Sequence, residues 1–283
     1  MPADKTMETR ETASDTPANY PVLAMEAQDM AALKMACACL EHPSLAARLS
    51  NVLGTPIETA LALLPPRWSR QLHSASEAAI TRALNAAVNS LHRRRELVPH
   101  PGFYKGLVAG SGALGGFFGL PGLLLEIPVT TTLMLRAIAE IAREEGETLA
   151  APQTRAACLE VFALGGRTEI DDAAETGYYG VRLALAGYLS GSLSALIGGE
   201  SAAPLALAGL IRAVAARFGV TLSQRAAAQL VPIIGAVGAA SINTIFMQHF
   251  QTMARGHFTV RRLERKYGEA LVEANYEALA RSG

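Results

Sequence analysis

The 283-residue sequence predicts an all-α fold: a multi-helix bundle with Gly-rich apolar helical hairpins. Three observations carry that expectation. Aromatic residues are scarce (6%) in a chain that is 50% hydrophobic and rich in alanine and glycine, which suits close-packed helices better than a β-rich core. Long stretches are almost free of charge: Glu126 is the one Asp, Glu, Lys or Arg between Lys105 and Arg136, Glu200 the one between Arg182 and Arg212, and none falls between Arg225 and Arg255. Helical spacing and helix-end residues recur along the chain, with no convincing strand and no tandem repeat.

The elements follow in order. Residues 1–21 are polar and aperiodic and read as a disordered tail. Residues 22–283 then read as a single all-helical domain. Met25–Leu40 repeats apolar residues at helical spacing, and Ser44–Leu53 adds a short helix that stops at Gly54. Thr55-Pro56-Ile57-Glu58 reads as a capping box opening a helix that stops at Pro65-Pro66. Ser74 with Glu77 reads as a second box, opening a helix to about Glu96 with Ile80, Leu84, Val88 and Leu91 on one face.

Gly106–Arg136 comes next. Its glycines four apart (Gly106 and Gly110, Gly112 and Gly116, Gly115 and Gly119) leave bare backbone on one helical face, where a second helix can approach. Pro121 is expected to divide it into two arms, the second starting near Pro128 and ending at Gly146. Each arm is short of the about 20 residues that span a bilayer. A re-entrant hairpin and the core hairpin of a soluble bundle both fit.

A helix over Pro152–Leu164 closes at Gly165-Gly166. Asp172 and Glu175 then cap a helix running through Tyr178, Tyr179 and Arg182 to Leu196. Leu205–Phe218 is expected to stop at Gly219, so that two apolar helices turn about Glu200. Thr221 or Ser223 is expected to cap the next helix, which Pro232 interrupts. It continues through Gly235 and Gly238 into a basic end, Arg255, Arg261, Arg262, Arg265 and Lys266. Gly268 breaks it before a last helix over Glu269–Arg281.

Chemistry is sparse. Glu126, in Leu-Glu-Ile-Pro, must be capped, paired or protonated, because an isolated buried carboxylate is costly; a cap or an ion pair is the preferred reading over a proton or metal role. Glu200 is the matching carboxylate of the second hairpin. His249 and His257, eight apart with Met253 between them, share a helix face; the spacing fits no zinc pattern and suits a polar seam. The acidic run Glu169, Asp171, Asp172 and Glu175 lacks the DxDxDG pattern of a calcium loop. Gly110-x-Gly112-x-x-Gly115 matches GxGxxG literally but lacks the strand that a dinucleotide site requires. GxxxxGK[ST], GxSxG and HExxH do not occur. No catalytic residue, metal or cofactor is assigned. The three cysteines, Cys37, Cys39 and Cys158, read as reduced core thiols.

Charge points toward a membrane rather than a nucleic acid. Lys plus Arg equals Asp plus Glu at 25 each, so no global basic footprint exists. Basic clusters nevertheless flank the apolar stretches: Arg93, Arg94, Arg95 and Lys105 before the first, and Arg261, Arg262, Arg265 and Lys266 after the last. Such clusters suit an anionic membrane surface, and solvated helix ends are the plainer alternative. No basic start precedes an apolar run at the N-terminus, so no signal peptide is expected and the cytoplasm is the expected compartment.

Three segments resemble one bacterial family. GGFFGLPGLLLEIPVTTTLMLRAIAEIAREEGE, LGGRTEIDDAAETGYYGVR (Leu164–Arg182) and HFQTMARGHFTVRRLERKYG (His249–Gly268) look like EcsC family sequence, and the resemblance runs from about Leu64 to Gly268. The family is named for a gene neighbouring an ABC transporter implicated in secretion; the resemblance implies that setting and no defined activity. The expected function is thus a non-enzymatic, membrane-associated helical protein at the cytoplasmic face of the inner membrane. Its expected partners are the membrane surface or a membrane protein such as an ABC transporter. The alternatives are a soluble enzyme, or an apolar-ligand or lipid carrier, using Glu126, Glu200, His249 or His257. Asp172 and Arg182 complete the candidate residues.

Overall fold

The computed structural model describes residues 25–41, 45–91, 119–165, 177–198, 203–230 and 235–282. Among them are ten helices and no strand: α1 (Ala27–Glu41), α2 (Leu45–Leu53), α3 (Ile57–Ala62), α4 (Pro66–Leu91), α5 (Gly119–Glu144), α6 (Pro152–Leu164), α7 (Tyr178–Gly198), α8 (Ala203–Leu230), α9 (Gly235–Tyr267) and α10 (Glu269–Ser282). Two long helices organise the rest. α8 packs on α4, α7, α6 and α3, and α9 packs on α1, α5, α2 and α10. Phe162 of α6, Phe218 of α8 and Phe246 and Phe250 of α9 meet at the centre, with ring centroids 4.9–6.3 Å apart.

Several helix ends fall where glycine permits a turn. Gly54, Gly146 and Gly268 all have positive φ (67°, 83° and 87°), the left-handed conformation that ends helices cheaply only for glycine. α6 ends at Gly165, and Pro152 stands in its first turn.

Other expected boundaries are corrected. Pro128 lies inside α5 rather than at a helix start, and Pro121 lies in its first turn rather than at a corner. α5 keeps helical geometry through Pro128 because one face is anchored: Leu123, Ile127, Met134, Leu135, Ile138 and Ile141 are all buried. Ser74 and Glu77 do not open a helix, since α4 already begins at Pro66, the position proline favours. Thr55 does not cap α3; Pro56 precedes its first residue and makes no side-chain cap. Gly219 does not stop α8. Thr221 and Ser223 donate instead to the carbonyls of Arg217 and Gly219 four residues back, at 3.5 and 2.9 Å, so they are mid-helix hydroxyls and not caps.

The glycine face over Gly106–Gly116, the basic residues Arg93, Arg94, Arg95 and Lys105, the acidic loop with Asp172, Glu200, and Pro232 lie outside the described residues.

Candidate functional site

The buried polar groups form two networks. The first is centred on α5. Glu126 is buried, and its Oε1 accepts from Arg225 Nη2 of α8 at 2.7 Å and from Asn243 Nδ2 of α9 at 2.8 Å. Arg225, 1% exposed, also reaches Thr130 Oγ1 at 3.4 Å and lies 5.2 Å from the centre of the Phe246 ring. Burial pushes the Arg225 guanidinium below its ordinary pKa, and the Glu126 carboxylate opposes that shift. Three helices thus share one fully enclosed charge pair. Glu126 is no cap: the helix that was expected to begin after it runs straight through it.

The second network lies where α6, α7 and α9 meet. Glu264 of α9 accepts two bonds from Arg182 of α7 and one from the Tyr179 hydroxyl at 3.0 Å. The Arg182 guanidinium stands over both tyrosine rings, 5.4 Å from Tyr178 and 5.3 Å from Tyr179. Burial opposes the charge of Arg182, yet Tyr178 and Glu264 together hold it above the ordinary guanidinium range. Two turns back along α9, His257 Nδ1 lies 2.9 Å from the Tyr178 hydroxyl, and His257 Nε2 faces Glu160 Oε2 at 3.5 Å. Glu160 is pushed up to about 7, chiefly by burial, with Arg182 and Arg261 pulling it back. His257 is fully buried and is driven well below its usual value, first by burial and then by Arg261 and Arg182.

α7 enters this network through a borrowed cap. Glu41, the last residue of α1, accepts from the Tyr178 backbone N–H at 3.0 Å and from the Tyr276 hydroxyl of α10 at 2.8 Å. A carboxylate at a helix N-terminus satisfies an orphan N–H and suits the dipole. A Cβ on Gly177 would stand 2.6 Å from one Glu41 oxygen and 2.8 Å from the other, so a side chain there would displace the capping carboxylate.

The two expected histidines share a face of α9 but do not meet. His249 Nε2–H donates to the Gly165 carbonyl at 3.1 Å. Burial first, and Arg48 next, hold its pKa down to about 4 against that bond, so it is neutral near pH 7. Among the described residues no group of three or more His, Cys, Asp or Glu side chains is placed to hold a metal. The cysteines are free thiols, with Cys158 pushed up to about 12 by burial.

The basic end of α9 is tied inward rather than left as a bare positive face. Arg261 and Arg265 bind Glu147, and Arg262 binds Glu145 at 2.8 Å and Asp29 at 3.3 Å. Lys266 binds Asp29 at 2.7 Å. Hydrogen bonds from Lys266 and Tyr267 hold Asp29 down to about 2. Each of these cations therefore has an acidic partner within the fold.

The apolar surface lies elsewhere. Leu125 (81% exposed) and Val129 (54%) stand one turn apart on α5, in line with the exposed Pro121. Leu183 (77%) and Tyr188 (48%) are exposed on α7. Pro121–Glu144 is the one helix among the described residues that is long and apolar enough to cross a membrane by length and composition, with mean hydropathy 1.4, and 56% of its apolar window is buried.

Sequence reasoning singled out Glu126, His249, His257 and Arg182 but missed Glu160, Arg225 and Asn243. Glu160 had a usable signal: it is the only charge in Ala156–Gly166, the same pattern that drew attention to Glu126.

The family model of the EcsC protein family matches residues 39–263. The chain belongs to this family. The match includes the Glu126 network and, of the second, Glu41, Glu160, Tyr178, Arg182 and His257, and leaves Glu264 one residue beyond its end. No curated protein and no solved structure matches the chain significantly.

Proposed function

We propose that this EcsC family protein is a non-enzymatic, membrane-associated helical protein, seated on the cytoplasmic face of the inner membrane. Its proposed partner is a membrane-embedded exporter, the setting that the family resemblance implies. One observation carries the reading. The apolar helices α5 and α7 turn Leu125, Val129, Leu183 and Tyr188 outward, among the most exposed large hydrophobic residues described. Leu125 and Val129, one turn apart on α5, make the contiguous part of this surface, and exposed apolar patches mark contact with a membrane or a protein.

The internal pairing of Arg261, Arg262, Arg265 and Lys266 shifts the driving force from charge to apolar contact. The bonds of Glu126 to Arg225 and Asn243, and of His249 to Gly165, support a structural rather than a catalytic use of these residues.

Cell fractionation and sedimentation with anionic vesicles test this reading. The protein is expected in the membrane pool and to remain there at about 1 M salt, where the Debye length is about 3 Å. Detergent is expected to release it. Leu125→Glu with Val129→Glu is expected to move most of it to the soluble fraction at unchanged melting temperature. Recovery of the unaltered protein wholly in the soluble fraction at physiological salt overturns the proposal. Release by salt alone would return the role to the basic residues.

A further inference from the structure

Glu160, Tyr178 and His257 are closed off from water at the junction of α6, α7 and α9, with exposures of 5%, 3% and 0%. Glu160 Oε2 and His257 Nε2 face each other at 3.5 Å and make no hydrogen bond among the described residues. The other ring nitrogen lies 2.9 Å from the Tyr178 hydroxyl. An acid and a base this close titrate as a pair rather than singly.

The surrounding charges come from every side. α7 contributes Tyr179 and Arg182, and α9 contributes Arg261 and Glu264. Glu264 is bound to Arg182 and Tyr179, and Arg261 to Glu147, which follows α5. Tyr276 of α10 stacks on Tyr178, its ring centroid 5.3 Å away, and Glu41 of α1 holds the Tyr178 N–H. Cys158 lies on the same helix as Glu160, and α8 meets α6 through Phe218 on Phe162.

Hydrogen positions follow from this geometry. With Glu160 ionised, the neutral imidazole keeps its hydrogen on Nε2, toward the carboxylate, and Nδ1 accepts from the Tyr178 O–H. A proton taken up on Glu160 Oε1 leaves the imidazole as it is, whereas one taken up at the Oε2–Nε2 contact ends on Nδ1. In the latter case the Nε2 hydrogen either stays on the ring, giving an imidazolium beside a carboxylate, or crosses to Glu160 Oε2, giving two neutral groups. Both forms require Nδ1–H to donate to the Tyr178 oxygen.

We propose that Glu160, His257 and Tyr178 form a proton-operated latch on the first turn of α7: uptake of one proton at the Glu160 Oε2–His257 Nε2 contact reverses the His257–Tyr178 hydrogen bond. The tyrosine hydrogen then loses its acceptor in a buried site, so the protonated protein holds the start of α7 less firmly. The latch operates whether or not α7 touches a bilayer.

Its range is near neutrality, since Glu160 is raised from 4.5 to about 7. The two partners act on global stability with opposite signs. A raised carboxyl pKa gives stability that is present in acid and lost as pH rises through about 7. The lowered imidazole pKa gives stability that is present above 6.5 and lost as pH falls. Between 4.5 and 6.5 the two slopes oppose each other, so a local readout is needed there.

The test is nitrogen-15 NMR of the histidine rings from about pH 5.5 to about pH 8.5, with His257 assigned by the loss of its signals in His257→Gln. Amide exchange in the first turn of α7, corrected for intrinsic rates, is followed in parallel. The expected result is Nε2–H alone at the alkaline end and a protonated Nδ1 at the acid end, with faster exchange at Val181 and Arg182 in the acid form. Glu160→Gln is expected to remove the near-neutral step and to leave a melting temperature that falls with acid below about 6.5. Tyr178→Phe is expected to keep the ring titration and to lose its effect on α7. A ring state that does not change across the range, a step that survives in Glu160→Gln, or α7 exchange that ignores the step overturns the proposal.

Discussion

Arg225→Met is expected to destabilise the protein by about 3–5 kcal/mol, because it leaves the Glu126 carboxylate enclosed without its cation. The pair sits between α5 and α8, at 1% and 5% side-chain exposure, with Asn243 of α9 as a third party. Removing both charges is a different experiment. Glu126→Leu combined with Arg225→Met leaves no stranded ion, and replacing a buried pair by packed apolar groups is often neutral or better. The double variant is therefore expected to recover most of the loss, leaving the weaker cost of Asn243 deprived of its acceptor. Denaturant unfolding of the two single variants and the double variant supplies the cycle. Strictly additive losses would show that the pair is not coupled in solution.

Glu126→Gln separates structure from function at the same position. The amide keeps the shape and can still accept from Asn243, but it leaves the Arg225 charge without a counter-ion. In cells, function is expected to track protein abundance. Loss of function at normal abundance and normal melting temperature would make Glu126 a functional group rather than a tie between helices.

The same pair shows what the sequence made legible. An isolated acid in an apolar run announces that it needs a partner, and Glu126 did so. Its partner is 99 residues away in a helix whose expected boundary was wrong, and no local pattern connects them. Helix ends were legible where the backbone demands glycine, as at Gly54, Gly146 and Gly268. They were misread where a breaker is overruled by packing. Pro128 is carried by the buried face of α5, and Gly219 sits against α4, where a Cβ would meet His73 atoms at 3.5–3.7 Å and Ser76 Oγ at 3.8 Å. The capping box at Ser74 failed for a related reason. Its residue types are right, but a helix already started at Pro66 needs no second cap. His257 was noticed as a member of a seam, whereas Tyr178 and Glu160, which give it chemistry, reach it from two other helices.

Gly256→Leu is expected to cost about 1–3 kcal/mol by overpacking the crossing of α1 on α9. Close approach at a glycine was expected along Gly106–Gly119. Within the described residues it is found here, where a Cβ on Gly256 would lie 2.8 Å from Leu40 Cγ and 3.2 Å from both Leu40 methyl carbons. Cγ moves only with χ1, and Leu40 is buried at 5% exposure, so a new rotamer has little room and α1 is expected to shift. Alanine at this site sets two effects against each other. It gains up to about 1 kcal/mol of helix propensity over glycine, and it pays for displacing Leu40 by a few tenths of an ångström. Gly256→Ala is therefore expected to be close to neutral, while leucine exceeds what the crossing can absorb. α1 also supplies Glu41, one residue beyond Leu40, which holds the start of α7. A displaced α1 is thus expected to raise amide exchange at Val181 as well as to lower the melting temperature. Trimming the obstacle checks the cause: Leu40→Ala in the Gly256→Leu background is expected to be less destabilising than Leu40→Ala alone. A Gly256→Leu protein that melts with the parent would show that α1 does not cross α9 at this distance in solution.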